Sequence, residues 1–322
     1  MKRVLMAVVL IASFSTGVFA LKIKEEKKAT ADGGYSEPNF SPEGSKFLAV
    51  KAGVGLVVYK ADGTGRDDIT PAGERVQNPT FNKKGTKIVT DYADMNPPLQ
   101  VITLGTKKAF KIIERFSFDS TWAFDGDAIF YTYWKLNHGV TESKMIWYDT
   151  ETNSSEEVRK MYPDRRMFKK PFAHPDGDRV FYVKDPMKEL KTIMEVSRET
   201  GKQKIFVANI KGDSPAFSSD GKYIWTGAEI IVCKDKTIIP SPVENIEKAT
   251  WINGDILMFN TKVKDGDKIK EADLGMLDAE TMKFEIFKTP DFLEIQSSFS
   301  WDGKNAICVD AKDGNLVLIT LE

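Results

Sequence analysis

The heptad Pro38-Asn39-Phe40-Ser41-Pro42-Glu43-Gly44, followed at once by the apolar run Phe47-Leu48-Ala49-Val50, decides the fold because it recurs. Related heptads end at Gly85 (PTFNKKG), Gly126 (STWAFDG), Gly177 (PFAHPDG), Gly221 (PAFSSDG), Gly254 (KATWING) and Gly303 (SSFSWDG). Four residues before the glycine stands Phe40, Phe81, Trp122, Phe217 or Phe299; the fourth copy has Ala173 there, and in the shortened sixth copy Trp251 comes one place later. The residue preceding the glycine is Glu43, Lys84, Asp125, Asp176, Asp220, Asn253 or Asp302. An acidic or amide side chain followed by glycine suits a tight turn, since Asp and Asn bond locally to the backbone and glycine tolerates positive φ.

Each turn leads into a strand, such as Ile129-Phe130-Tyr131, Val180-Phe181-Tyr182 or Ile307-Cys308-Val309. These runs are apolar at consecutive positions, so both faces of the sheet are covered. The spacings between successive turn glycines are 41, 41, 51, 44, 33 and 49 residues, around the 40 to 45 residues of a four-stranded propeller blade. Although the sixth copy is the weakest, Gly221 and Gly303 lie 82 residues apart, twice 41, and a blade must lie between them. The expected fold is therefore all-β: a seven-bladed β-propeller of four-stranded antiparallel blades.

After Gly303 there is room for only two further strands, Lys304 to Asp310 and Asn315 to Leu321. The last blade then lacks its outer strand, which Leu21 to Thr30 can supply by pairing beside Leu316 to Leu321. Ahead of that segment, Met1-Lys2-Arg3, an apolar stretch from Val4 to Ser13 and Val18-Phe19-Ala20 have the form of a secretory signal peptide cut after Ala20. The expected organisation is a signal peptide over 1–20, a propeller over 21–322, and a periplasmic or secreted location. No cysteine stands at the cut, so no lipid anchor is expected, nor any other membrane anchor.

The motif P-x-F-S-P-[DE]-G followed by an apolar strand resembles the repeat of TolB-type, WD-repeat-like β-propellers, with PNFSPEG and PAFSSDG as the nearest copies. The resemblance runs over nearly all of the chain after Ala20. It implies a soluble periplasmic propeller that binds another macromolecule, a protein or an envelope polymer. TolB itself places an α/β domain before six blades, whereas only 17 residues separate Ala20 from Pro38 and seven repeats follow.

Composition narrows the chemistry. The chain holds 46 Lys and Arg against 47 Asp and Glu, so nothing favours nucleic acid. Its two histidines, His138 and His174, starve any mechanism built on a histidine cluster, and neither a metal nor another cofactor is expected. His174 occupies the turn position of Ser41 and Ser218 and is expected to be a turn residue. Cys233 and Cys308 fall in apolar runs of non-neighbouring blades and are expected as free thiols, since a disulfide needs Cα atoms about 4.4 to 6.8 Å apart. No G-x-S-x-G elbow occurs, and Gly212-Asp213-Ser214 falls at the entrance to the fifth repeat without the context of an esterase. On these grounds the protein is expected not to be an enzyme.

The connections from strand B to C, and from D to the next A, share one face of a propeller, and the long ones collect there: 91–98, 134–144, 184–191, 261–273 and 161–170. The A-to-B turns are short and uniform, as expected of scaffold. On the loop-rich face we single out Tyr92, Met95, Trp134, His138, Arg165, Arg166 and Phe168, because aromatic and arginine side chains dominate interface hot spots. Two readings of this cluster stand side by side: an interface, or a blade edge covered by Trp134 and Phe168 with solvated arginines. The expected function is a non-catalytic binding propeller. The alternatives are a glycan-cleaving enzyme using two channel carboxylates about 5 to 9.5 Å apart, or a structural subunit of an envelope complex.

Overall fold

The computed structural model describes residues 22–322 except 93–98, 113–116, 125, 138–139, 162–167, 185–187, 253 and 289–290. Among these residues there is no helix, and the strands form seven four-stranded antiparallel sheets. We number these sheets as blades 1 to 7 and letter their strands A to D in the order in which they pair. Strands A of blades 1 to 7 are Tyr35–Phe40, Val76–Phe81, Ser117–Trp122, Phe168–Ala173, Ala216–Phe217, Ile246–Ile252 and Glu294–Phe299. The seven-bladed propeller anticipated from the repeat is the observed fold.

Consecutive apolar residues of one strand serve different interfaces. Phe47 and Ala49 pack into the cluster between blades 7 and 1, whereas Leu48 packs between blades 1 and 2. In blade 4, Val180 and Tyr182 face blade 3, while Phe181 faces blade 5. The described residues thus form seven separate hydrophobic clusters, one in each gap between neighbouring blades. The motif aromatic plays the same part throughout. Phe40, Phe81, Trp122, Phe217, Trp251 and Phe299 each pack toward the preceding blade, and Ala173 does so in blade 4. Two indoles add a hydrogen bond to the same neighbour, Trp122 Nε1 to Thr80 O (3.0 Å) and Trp251 Nε1 to Ala216 O (2.9 Å). The seven turn glycines all have φ between +64° and +83°, a region closed to most side chains.

The ring closes as the chain ends suggested. Ile23–Lys28 is the outer strand of blade 7, paired antiparallel to Leu316–Leu321 from Ile23↔Leu321 to Lys28↔Val317. Backbone bonds join Lys22 to Glu322 in both directions, at 2.7 and 2.9 Å. Lys28 Nζ lies 2.5 Å from Asp313 Oδ2, and this bond, with the Asn315 N–H, holds the Asp313 carboxyl down at about 2. Cys308 is buried in blade 7 and Cys233 lies in the turn after Glu229–Val232 of blade 5; both are free. Burial raises both thiol pKa values, Cys233 to about 11.

Three segments differ from the sequence-based expectation. Residues 134–144 are mostly strand: B and C of blade 3, Ala128–Asn137 and Val140–Asp149, run ten residues each and pair as far as Asn137↔Val140. The 261–273 connection of blade 6 holds a small hairpin, Val263–Asp265 with Lys268–Glu271. Strand A of blade 5 is only two residues long, and Gly212, at φ +79°, stands just before it.

Two measurements bear on closure. Deleting residues 22–30 leaves Leu316–Leu321 as a bare edge, and Tm should fall by about 5 to 10 °C with concentration-dependent self-association in light scattering; an unchanged, monomeric protein would show that the ring closes without that strand. Because the folded pKa of Asp313 is depressed, its contribution is complete above the ordinary aspartate pKa and is lost as pH falls toward 2. The Asp313→Asn variant should therefore differ from wild type in Tm at neutral pH and converge with it in acid.

Candidate functional site

The seven A strands surround the axis unevenly. In blades 7, 1 and 2 the residue three before the motif aromatic is Gln296, Glu37 or Asn78, each with a left-handed φ of +52°, +53° or +51°. That conformation costs a non-glycine residue about 1 kcal/mol, and all three lie at register shifts of the A–B pairing. The bulges let the side chains join hands around the axis. Gln296 N–H donates to Glu247 Oε2 (3.1 Å), Glu37 N–H to Gln296 Oε1 (2.8 Å) and Asn78 N–H to Glu37 Oε2 (2.5 Å). Asn78 Nδ2 then donates to Asp91 Oδ2 at 3.2 Å. Lys248 of blade 6 reaches past blade 7 to donate to Pro38 O of blade 1 at 3.2 Å. Blades 6, 7, 1 and 2 are laced together at the axis.

The other side stays open. A cavity of about 700 Å³ is lined by the A strands of blades 3 to 6, the A–B turns of blades 3 to 5, the 212–215 entry, Trp225 and Gly227 of blade 5, and Trp301 from the turn of blade 7, with nothing from blades 1 and 2. The short strand of blade 5 forms part of this wall, and Gly212, Asp213 and Ser214 line the cavity, with Ser214 N–H donating to Thr226 O at 3.0 Å. Gly212 is confined as well as twisted: a Cβ there would meet Thr226 O at 2.2 Å. Ser214 Oγ donates to the Asp213 carboxylate at 3.2 Å.

At the end where the A strands begin, on the face of the B–C connections, the lining is charged: Asp213, Glu247 and Lys248. At the A–B turn end it is aromatic, with Phe124 and Trp301, and Trp122 and Trp251 lie between. Trp301 is 49% exposed. Burial would raise the Glu247 pKa. The Lys262 ammonium, the Gln296 N–H and the Asn260 amide outweigh it and hold this carboxylate ionised, below its usual range. His174 stays out of the cavity lining, in its turn against Phe217 and Arg179; burial and the guanidinium push its imidazole below the ordinary range.

Of the seven residues singled out in the sequence, Met95, His138, Arg165 and Arg166 lie outside the described residues. The backbone of Tyr92 ends strand B of blade 2, Trp134 lies in the long strand B of blade 3, and Phe168 begins strand A of blade 4. All three positions are toward the loop-rich face. The cavity residues Asp213, Glu247, Lys248 and Trp301 were not among the seven. The local signals for them were the Gly212-Asp213-Ser214 tripeptide and an indole at the turn position where other copies carry Pro42, Lys83, Phe124, Pro175 or Ser219.

No family model and no curated relative matches the sequence. Solved structures do match in shape. An oligogalacturonate lyase in complex with manganese aligns over 94% of this chain and 95% of its own, with a TM-score of 0.70 at 10% identity. TolB from Acinetobacter baumannii aligns over 81% of this chain and 65% of its own, with a TM-score of 0.51 at 15% identity. At these identities the likeness is one of fold. It nevertheless overturns the expectation that the chain is not an enzyme, because an enzyme shares the scaffold over nearly its whole length. A shortage of histidines does not remove catalysis from a fold that opens a concave cavity at its axis. Among the described residues no group of three or more His, Cys, Asp or Glu side chains converges to hold a metal ion.

Replacing Glu247 by Ala removes the acceptor of three donors and should cost about 1 to 3 kcal/mol in urea denaturation. Since its folded pKa is depressed, the contribution is present at neutral pH and lost as pH falls below the usual carboxylate range. Equal stability of variant and wild type at pH 7 would refute this account of the lacing.

Proposed function

We propose that this protein is a carbohydrate-active propeller that takes a saccharide chain into its axial cavity. The observation that carries the reading is the composition of that cavity: Trp301 and Phe124 at one end, Asp213, Glu247 and Lys248 at the other, in about 700 Å³. This is within the size range of ordinary ligand sites. A sugar ring offers an apolar C–H face and a rim of hydroxyls. An exposed indole suits the first; carboxylates that accept, and an ammonium that donates, suit the second. The solved lyase of oligogalacturonate supports the reading as a precedent on the same scaffold. The signal-peptide character of residues 1–20 and the likeness to TolB support a periplasmic or secreted setting, where an envelope polymer is the ligand.

Asp213 and Glu247, on adjacent blades, favour a second reading in which the chain is cleaved as well as held. Glu247, kept ionised by Lys262, suits the role of base or of stabiliser for a developing positive charge. As the glycosidic bond breaks, Asp213 in its protonated form gives its proton to the departing oxygen, while Glu247 takes one either from the water that adds to the sugar carbon or from the ring carbon beside the leaving group.

Titration calorimetry of the protein against neutral and acidic oligosaccharides tests the first reading. Trp301→Ala should bind at least about tenfold more weakly at an unchanged Tm; wild-type protein that binds no saccharide, or a variant that binds equally well, would refute it. For cleavage, Asp213→Asn and Glu247→Gln should each abolish new reducing or unsaturated ends. Failure of wild type to generate such ends from a bound saccharide disposes of the second reading alone.

A further inference from the structure

At the seam between blades 3 and 4, both blades present alanine at positions that carry larger side chains in all other copies. The motif aromatic packs toward the preceding blade in six copies, but in blade 4 its place is taken by Ala173. Phe40, Phe81, Trp251 and Phe299 are buried in their seams; Ala173 is only half-buried. From the opposite side of the same seam, blade 3 contributes Ala123 and Ala128. The position of Ala128, two after the turn glycine, is held elsewhere by Lys46, Lys87, Arg179, Tyr223, Ile256 or Asn305. Three of these bridge to the next blade. Lys46 Nζ donates to Gly85 O at 3.3 Å, Lys87 Nζ donates to Thr150 Oγ1 at 2.8 Å, and Tyr223 stacks on Trp251 with 6.1 Å between ring centres. A methyl group has no such reach.

The axial cavity enters this seam at Ala173. Farther along, Phe130, Met145, Tyr182 and Met194 fill the seam. Over 121–124 and 171–175, blades 3 and 4 give the cavity the side chains of Trp122, Phe124, Pro171, Phe172, Ala173 and Pro175, with Thr121 as the one hydroxyl. The charged residues of the described lining, Asp213, Glu247 and Lys248, belong to blades 5 and 6. A sugar hydroxyl brought against the apolar wall gives up water for few partners in return, whereas a methyl group gains by leaving water.

We propose that the place of the missing ring in blade 4 is a subsite for an acetyl group carried by the saccharide, its methyl set against Ala173 and its carbonyl within the range of the Thr121 hydroxyl. The inference rests on the saccharide reading of the cavity and adds the substrate class: a glycan bearing N-acetyl or O-acetyl substituents. In six blades the chain itself supplies the apolar group at this position. In blade 4 the ligand supplies it, and Ala173 is the residue that determines the specificity.

The test compares two pairs of oligosaccharides of equal length by calorimetry, with Tm as the folding control. One pair is neutral, N-acetyl-chito-oligosaccharides against cello-oligosaccharides, which differ in an acetamido group or a hydroxyl on the same backbone. The other is acidic, oligogalacturonates with and without O-acetyl groups. In at least one pair, wild-type protein should bind the acetylated member about tenfold or more tightly, the discrimination that one methyl group commands in an apolar pocket. Ala173→Phe restores the repeat, so its Tm should be no lower than that of wild type, and it should bind the preferred acetylated ligand at least about tenfold more weakly. If the ring lowers Tm, Ala173→Val, which fills less of the space, carries the same test and should bind that ligand about threefold or more weakly. Trp301→Ala should weaken both members of the pair alike and keep their ratio. Equal binding of both members in both pairs, or acetylated binding that survives the filling of the seam in a stably folded variant, overturns the subsite while the cavity reading stands. Wild-type protein that binds no member of either pair overturns the saccharide reading and the subsite with it.

Discussion

Every blade is apolar on both flat sides and cannot be stable alone, so the architecture rests on the burial of those sides against two neighbours at once. Phe47 and Leu48, adjacent in sequence and committed to opposite interfaces, show the constraint in its smallest form. Burial of one such side chain is worth about 1.5 to 3 kcal/mol, and the gain exists only while both adjoining blades are in place. A ring satisfies the condition for every member; an open row leaves two blades half solvated. That is why blade 7 is assembled from both ends of the chain and why the pairing extends to the backbone groups of Lys22 and Glu322.

Wedge-shaped packing fixes the rim of the disc but leaves the axis undecided, and the two halves of this molecule settle it differently. Blades 6, 7, 1 and 2 hold Glu247, Gln296, Glu37 and Asn78 in a chain of side-chain-to-backbone bonds, which requires three residues in an unfavourable backbone region. Blades 3 to 5 carry no such lacing among the described residues. The laced half contains the seam where the chain ends meet. Glu247 belongs to both, as the first link of the chain and as a wall of the cavity.

The blade period, the turn, the motif aromatic and the closing strand were legible in the sequence because each is a local pattern with one packing solution. Even the aberrant copies behaved: Ala173 and Trp251 point to the same interfaces as their counterparts. The cavity was not legible. The position three before the aromatic, or before Ala173 in the fourth copy, is polar in all seven copies, and whether it laces to a neighbour or opens onto a cavity depends on backbone bulges and on the two-residue strand of blade 5. Gly212-Asp213-Ser214 drew notice as a tripeptide, but its meaning comes from Thr226 pressing on Gly212 and from its neighbours across the axis. The long 134–144 and 261–273 segments stood out by length alone. Their continuation as paired strands required the register of the whole blade.

Ile23–Lys28 leaves the ribosome before any other part of the propeller and finds its partner, Leu316–Leu321, only when the last strand of the ring has been made. Until then this segment has no ladder to join, and its sequence suits the wait: IKEEKK sets few apolar residues among charges and resists pairing with strangers. Six blades can stack as they emerge, but the final gap is sealed by the first and last strands together. Completion of the ring is thus a single late event, a built-in check that every blade between those two strands has been synthesised.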